Sequence, residues 1–503
     1  MNSAAAEGGS PAAAGVALAS ARGRWVLACA VLASGMALLD GTVINVALPT
    51  LGRDLDASLS ALQWVVNAYM LTLSALLLLG GALGDRFGRR RVLVVGVVWF
   101  ALASAACGLA QNVGMLIAAR ALQGVGGALL TPGSLALVRS SFRPRDQAKA
   151  VGAWSGLGGV AGAVGPFLGG WLIDGPGWRW IFLINIPLAA LVLFAARHVP
   201  ESRDESAADR PFDVPGAVLG ALCLAGISFA LIGASGDAPA TAAVPGAIGL
   251  LSGIAFTLTE RRRTNPMLPL SLFRSSLFSA ANLMTLCLYA AIGGILFMLP
   301  VQLQTTLGYD ALRAGTATLP ITILMLLLSA PAGALAARLG PRLPLTLGPL
   351  IAATGVLLML RVGPNSSYVT DVLPAVVVLG LGMSTFVAPL TATVLASVDA
   401  SRAGLASGVN NTAARIAQLL VVAALPLAVG LSGTAYADPA ALNTSFHRAA
   451  FGCASLFALA ALAAVVFVHP TPDQWHGDTG NAPQCKSHLG VQAPPLEPGG
   501  ERG

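Results

Sequence analysis

The stretch WVLACAVLASGMALLDGTVINVALP, Trp25–Pro49, is one apolar run with a single acid, Asp40, well inside it. A helix needs about 20 such residues to cross a hydrocarbon core of about 30 Å, and this run has enough. A carboxyl group at that depth costs roughly 2.5–3.5 kcal/mol on insertion scales, so intramembrane acids usually face a cavity, a partner charge or a transported species. Asp40 is the first candidate for coupling chemistry.

The rest of the chain follows the same pattern. Of its 503 residues 55% are hydrophobic and 10% charged, against about a quarter charged in a soluble domain. Apolar runs of about 20 residues recur between short polar pieces, which is a polytopic membrane pattern. We count about 14 spans, an all-α integral membrane protein. The expected divisions are a tail over 1–24, a six-helix bundle over 25–196, a charged linker over 197–213, two inserted helices over 214–258, a loop over 259–277, a second six-helix bundle over 278–468 and a disordered tail over 469–503.

The net charge of +7 is sorted by loop and does not mark a nucleic-acid binder. Arg22, Arg24, Arg86, Arg89, Arg90, Arg91, Arg139, Arg143, Arg145, Lys149, Arg261, Arg262 and Arg263 fall on one side. The opposite loops carry only Arg53, Arg179, Arg313, Arg361 and Arg448. The positive-inside rule then places both termini in the cytoplasm. No cleavable leader is read in the first 20 residues. The six cysteines lack metal or redox spacing, so neither a metal nor a cofactor is expected.

Three segments carry chemistry. GALGDRFGRRRV (Gly81–Val92) has Gly81 and Gly88 where helix ends can come close, and Asp85 amid Arg86, Arg89, Arg90 and Arg91 can form a charged latch. The plain alternative is an ordinary basic loop. ARALQGVGGALLTPGSLALV (Ala119–Val138) puts Arg120, Gln123, Gly124 and Gly127 on one helix face. A guanidinium stays charged, so Arg120 needs a partner or water, or else snorkels to the interface. Counting inward from the outer ends of their spans, Arg120 and Asp40 lie at roughly 8 and 12 Å depth, close enough to pair if their helices neighbour. In VGAWSGLGGVAGAVGPFLGGWLID (Val151–Asp174), Gly158, Gly162, Gly165 and Gly169 form a smooth stripe. Pro166 removes one helix hydrogen bond there and permits a bend.

In combination these segments resemble signature motifs of the major facilitator superfamily. Gly81–Val92 is similar to the GxLaDrxGrk loop, with Gly84 in place of the usual alanine. The Arg120 run resembles the motif whose arginine is linked to proton transfer. Gly165, Pro166, Gly169 and Gly170 match the GPxxGG antiporter signature associated with export, although Ala161 stands where a glycine is usual. ALLDGTVINVALPTL (Ala37–Leu51), FDVPGAVLG (Phe212–Gly220) and GLASGVNNTAARIAQLL (Gly404–Leu420) resemble patterns of the 14-span drug:proton antiporters, of the antibiotic self-resistance type. Asn411 and Arg415 are typical of the last pattern, whereas Gln418 replaces a glycine. AARLGPRLPLTLG (Ala336–Gly348) occupies in the second half the place of Gly81–Val92 in the first. The resemblance covers Arg24 to Val468. It implies two six-helix halves plus an inserted pair, with Asp40 and Arg120 coupling protons and the Asp85 loop locking one conformation.

The chain has only two lysines, Lys149 and Lys486, and neither follows a glycine, so no phosphate-binding loop exists. HExxH and GxSxG are absent as well. An enzyme is therefore not expected, and an ion gradient is the expected driver. The expected partners are protons, a small amphiphilic molecule and the lipid bilayer of the cytoplasmic membrane, with the chain a monomer. Asn45, Gln123, Asn411 and Arg415 are candidate substrate contacts. Export of an antibiotic is the leading reading. Export of an endogenous metabolite or siderophore, or solute:proton symport, are the alternatives.

Overall fold

The computed structural model describes residues 15–203, 213–234, 242–263, 266, 268–399, 402–433 and 435–468. The expected disordered tail, most of the 197–213 linker and the first 14 residues lie outside the described residues. Helices run as α1 (Ala21–Asp54), α2 (Leu59–Phe87), α3 (Arg89–Gly108), α4 (Val113–Ser141), α5 (Pro144–Asp174), α6 (Trp180–Leu183), α7 (Asn185–Ala196), α8 (Val214–Ala234) and α9 (Ala243–Arg262). They continue as α10 (Ser276–Thr305), α11 (Ala311–Ala317), α12 (Leu319–Leu339), α13 (Arg342–Leu358), α14 (Leu373–Ala396), α15 (Ala403–Val429) and α16 (Pro439–Phe467). Side chains of Ser20, Ser58, Asn112, Ser275 and Asp310 accept hydrogen bonds from the first turns of α1, α2, α4, α10 and α11 and so satisfy otherwise orphaned N–H groups.

Among the described residues, 12 helices are long and apolar enough to cross a membrane. Two shorter apolar stretches, Val160–Asp174 and Trp180–Ala196, fall where the fifth and sixth spans were expected. The sixth is broken at Ile184 between α6 and α7. Pro187 cannot donate to the carbonyl one turn earlier, which weakens the helix there. Thr318 separates α11 from α12 for the same reason, with Pro320 just beyond it.

α1 packs on α4, α5 and α7, while α2 and α3 pack on α4. In the second set α10 packs on α15 and α16, and α14 on α12 and α13. The pair α8 and α9 lies together, with α8 against α2 and α15. The turns α2–α3 and α12–α13 correspond: each places a glycine in the left-handed region, Gly88 at φ 108° and Gly340 at φ 82°, which a side chain would resist.

The core divides by depth. Leu39, Val43, Leu48 and Leu51 of α1 join one apolar cluster with α10, α14 and α16. Val26, Ala30 and Met36 of the same helix belong to a separate cluster confined to α1–α7. The two helix sets are thus packed into each other at the end carrying the α1–α2 turn. Polar bonds joining them lie at that end too: Gln304 Nε2 donates to the Val46 carbonyl at 2.9 Å, and the Tyr436 hydroxyl to the Ala57 carbonyl at 2.8 Å. The Asp174 carboxylate accepts from the Ala311 and Leu312 amides at 3.3 and 2.7 Å.

Candidate functional site

Asp40 is 2% exposed and Arg120 is fully buried. Such charges are tolerated only when paired and hydrogen-bonded. The contact between α1 and α4 supplies the pairing: Arg120 Nη1 donates to Asp40 Oδ2. Gln123, one turn along α4, donates from Nε2 to Asp40 Oδ1 at 2.8 Å and accepts from Arg120 Nη1 at 2.8 Å. It therefore clamps both partners. Arg120 Nε donates to the Val65 carbonyl at 3.1 Å. Its guanidinium carbon lies 4.4 Å from the centre of the Tyr69 ring, a cation–π arrangement that partly replaces lost hydration. Tyr69 is held in place by its hydroxyl, which donates to the Ala37 carbonyl at 3.2 Å.

Sequence alone does not place Asn185 or Ser104 in this network. Asn185 Nδ2 donates to Asp40 Oδ1 at 3.3 Å and to Ser104 Oγ at 2.9 Å. Ser104 in turn accepts from Gln123 Nε2 at 3.1 Å and donates to the Phe182 carbonyl at 2.9 Å. Asn185 had a signal, being the lone polar side chain in the apolar run Trp180–Ala196. Ser104 had none, because serine is common in membrane helices and usually bonds its own backbone. The network has slack: Arg120 Nη2 and Asn185 Oδ1 are buried without a hydrogen-bond partner.

At the α2–α3 turn, Arg89 donates to Asp85 Oδ1 from Nε and Nη2 at 2.9 and 2.8 Å. Gly88 between them leaves no space for a side chain, since a Cβ there would lie 2.7 Å from Glu201 Oε1. Glu201 accepts from the Arg90 and Arg91 amides at 3.0 and 3.2 Å. It thereby caps α3, whose own first turn has no acid, with negative charge where the helix dipole favours it. No local pattern in the linker signals that role. Arg86 stacks on the neighbouring Phe87 ring, 5.6 Å from its centre. A Cβ on Gly81 would meet Pro132 at ordinary contact distance.

The glycine stripe of α5 is uneven. Cβ atoms on Gly158 or Gly162 would sit 3.7 and 3.8 Å from Leu38, within ordinary contact. On Gly165 a Cβ would lie 2.0 Å from Thr42 Oγ1, and on Gly169 2.9 Å from Val43. Gly170 faces α11, with the Ala311 carbonyl 2.4 Å from its Cβ position, and Gly315 meets the Pro166 carbonyl at 2.1 Å. Gly165 and Gly169 thus pack α5 on α1, whereas Gly170 and Pro166 join the two helix sets through α11.

Of the candidate substrate contacts, Gln123 belongs to the Asp40 network. Asn45 is partly buried with an unpaired Oδ1 and Asn411 is exposed. Arg415 lies partly buried on α15 with an enclosed, unpaired Nε.

The chain is matched among known proteins in both sequence and fold. The chain matches the Major Facilitator Superfamily over residues 30–422. It is 38% identical over 411 residues to the puromycin resistance protein of Streptomyces alboniger, covering 80% of each chain. It is 36% identical over 398 residues to the tetracenomycin C resistance and export protein of Streptomyces glaucescens, covering 78% of this chain and 73% of the relative. The multidrug efflux pump LfrA of Mycolicibacterium smegmatis is 35% identical over 406 residues, covering 80% of each. In fold the chain is similar to an inward-facing bacterial homologue of the human lysosomal transporter Spinster, with TM-score 0.63, 16% identity and coverage of 90% and 99%. The inward-open xylose transporter XylE of E. coli gives TM-score 0.61 at 17% identity, covering 89% and 97%. This chain belongs to the Major Facilitator Superfamily.

Proposed function

We propose that this protein is a proton-coupled antiporter that exports an amphiphilic antibiotic or drug across the cytoplasmic membrane and so confers resistance. Its relatives bear names of resistance and export proteins, and the family is one of transporters rather than enzymes. The observation that carries the coupling is the buried Asp40–Arg120–Gln123 network. In this proposal Asp40, buried midway along α1, is the acid assigned to proton exchange. Arg120 is the charge whose contact with Asp40 the proposed cycle makes and breaks. A conformational step that opens or closes the Arg120 contact converts proton binding into movement of the halves.

In this reading α1–α7 form the first six-span bundle and α10–α16 the second. α8 and α9 are the inserted pair, so that α5 and α6–α7 complete a count of 14. Both termini are cytoplasmic and the monomer is the working unit. Asp85, Arg89 and the Glu201 cap latch the cytoplasmic loop. Pro166 and Gly170 form the joint that closes on the outer side, and Gly165 and Gly169 hold α5 against α1 behind it. The test is expression in a pump-deficient host challenged with an antibiotic panel, followed by reconstitution. Resistance that vanishes with Asp40→Asn, and vesicle transport that stops when the pH difference is removed, are the expected results. Full-speed transport without pH difference or voltage refutes coupling.

A further inference from the structure

Resting on that reading, the geometry points to an anionic cargo: Arg415 with Asn67 forms a binding site for a carboxylate or comparable anion on an aromatic molecule. Arg415 is the thirteenth residue of the 27 in α15, roughly 20 Å from either helix end at 1.5 Å per residue. Its neighbours follow from helix register. Gln63 Nε2 of α2 donates to the Val422 carbonyl at 2.7 Å, and a Cβ on Gly408 would lie 3.4 Å from Leu78. The two contacts fix α2 and α15 antiparallel, with Arg415 level with Tyr69 and Met70. Asn410 Nδ2 donates to Thr285 Oγ1 of α10 at 2.6 Å, and Gly293 abuts Gln418. These put Tyr289 level with Arg415 from the other side. The guanidinium thus sits at mid-depth between the two helix sets.

Nothing of opposite charge meets it. Among the described residues no carboxylate is paired with Arg415, and its Nε is enclosed without an acceptor. Asp40, the one acid at comparable depth, is fully engaged by Arg120, Gln123 and Asn185. One turn from the level of Arg415, Asn67 of α2 is completely buried, and neither amide atom has a partner. Thr412 Oγ1, three residues before Arg415, is likewise buried and unpaired. An unpaired guanidinium and an unsatisfied amide are expensive in a membrane interior. They are met together by one ligand: a carboxylate takes the two parallel N–H bonds of a guanidinium, and the Asn67 amide reaches an adjacent oxygen. Tyr289, partly buried and level with Arg415 on α10, supplies an aromatic ring beside it. A cationic cargo would find Arg415 repulsive and Asp40 already neutralised.

The test uses a matched bicyclic pair, radiolabelled 1-hydroxy-2-naphthoate and N-methylquinolinium, in inside-out vesicles holding the full chain under a fixed pH difference. Binding of each to the purified protein is measured in parallel. The wild type should bind and take up the naphthoate at least tenfold better than the quinolinium. Arg415→Gln should lower naphthoate uptake tenfold or more, and Arg415→Lys, which keeps the charge but not the two parallel bonds, should lower it by a smaller factor. Asn67→Ala should raise the naphthoate KM with little change in kcat, which keeps the test standing should Arg415→Gln fold poorly. Preference for the quinolinium, unchanged naphthoate uptake in a folded Arg415→Gln, or failure of the wild type to bind or move the naphthoate overturns the inference. Antibiotic resistance that persists alongside any of these leaves the export reading intact, whereas loss of resistance across the panel removes both.

Discussion

Replacing Asp40 by asparagine should be far more damaging than replacing Arg120 by glutamine, and the double replacement should be milder than the first alone. Arg120 is fully buried and cannot shed its charge. Asp40→Asn therefore leaves a lone cation whose Nη1 faces either an amide or Gln123 alone. Removing one partner of a buried pair costs about 3–5 kcal/mol, a loss of roughly 100- to 4,000-fold in the folding constant at 1.4 kcal/mol per decade. Arg120→Gln leaves Asp40 with the Gln123 and Asn185 donors, and a lone carboxyl can take up a proton. Its cost should be that of one lost charged hydrogen bond, about 1.5–3 kcal/mol. With both charges gone the site is a neutral amide network, expected within about 2 kcal/mol of the wild type, so the coupling energy opposes additivity. Graded detergent unfolding of the purified protein measures all four corners of the cycle. Pump assays in vesicles should find Asp40→Asn and the double variant both uncoupled. Single replacements that cost the same and add up would show that the contact is not a functional ion pair.

Four further substitutions have definite expected outcomes. Gly165→Ala should destabilise by about 1–3 kcal/mol through overpacking on Thr42. Gly162→Ala, with 3.8 Å to Leu38, should be neutral or gain up to about 1 kcal/mol in helix propensity; equal losses in a thermal unfolding series would contradict the uneven stripe. Gly170→Ala drives a methyl into the Ala311 carbonyl across the closed joint, so thiol labelling of a cysteine placed at Thr50 should rise severalfold, and unchanged labelling would count against it. Burial first, and then Asp56, push the Tyr436 hydroxyl above its ordinary value of 10. The folded state thus prefers the neutral phenol, whose contribution is complete below about pH 10 and fades as pH rises through the raised value. Tyr436→Phe should cost about 0.5–1.5 kcal/mol at neutral pH and flatten the alkaline limb of a stability–pH curve; a limb as steep as wild type would refute this.

The fold was legible because membrane spans announce themselves by length and apolarity, and because Gly88 and Gly340 mark the same turn in each half. The Asp40–Arg120 pair was legible from depth alone, since an acid and a guanidinium at similar depth in hydrocarbon have few other ways to be satisfied. What sequence could not supply was the shell around them. Ser104 and Gln123 meet only through the approach of α3 to α4, a tertiary fact with no local signature. Asn185 was visible as a polar interruption, yet its partner was not. The break at Ile184 illustrates a different limit: Pro187 was in plain view, but hydropathy averages over a kink. The α5 stripe looked uniform at four- and three-residue spacing, whereas two of its glycines merely touch Leu38 and two leave no space at all. Periodicity assigns a face, and only the opposing helix decides how tight that face must be.

The charge of the cargo also fixes how the cycle must be driven. A monocation leaving as one proton enters moves no net charge, so only the pH difference would power it. A monoanion leaving as one proton enters moves two positive charges inward. At about 2.3 kcal/mol per charge per 100 mV, the membrane voltage then contributes roughly 4.6 kcal/mol per cycle, because an inside-negative potential itself expels the anion. Direct competition at Asp40 suits a cation, which displaces the proton from the same negative site. An anion cannot displace it in that way, and in the proposed cycle exchange would instead run through the Arg120 contact with Asp40. Inside-out vesicles with no pH difference and a lumen-positive potassium–valinomycin potential separate the two schemes. Naphthoate uptake should rise with the imposed voltage in wild type and stay at background in Asp40→Asn vesicles, which report passive leak. Voltage-insensitive naphthoate uptake that still depends on the pH difference would break the link between an anionic cargo and one-for-one proton exchange.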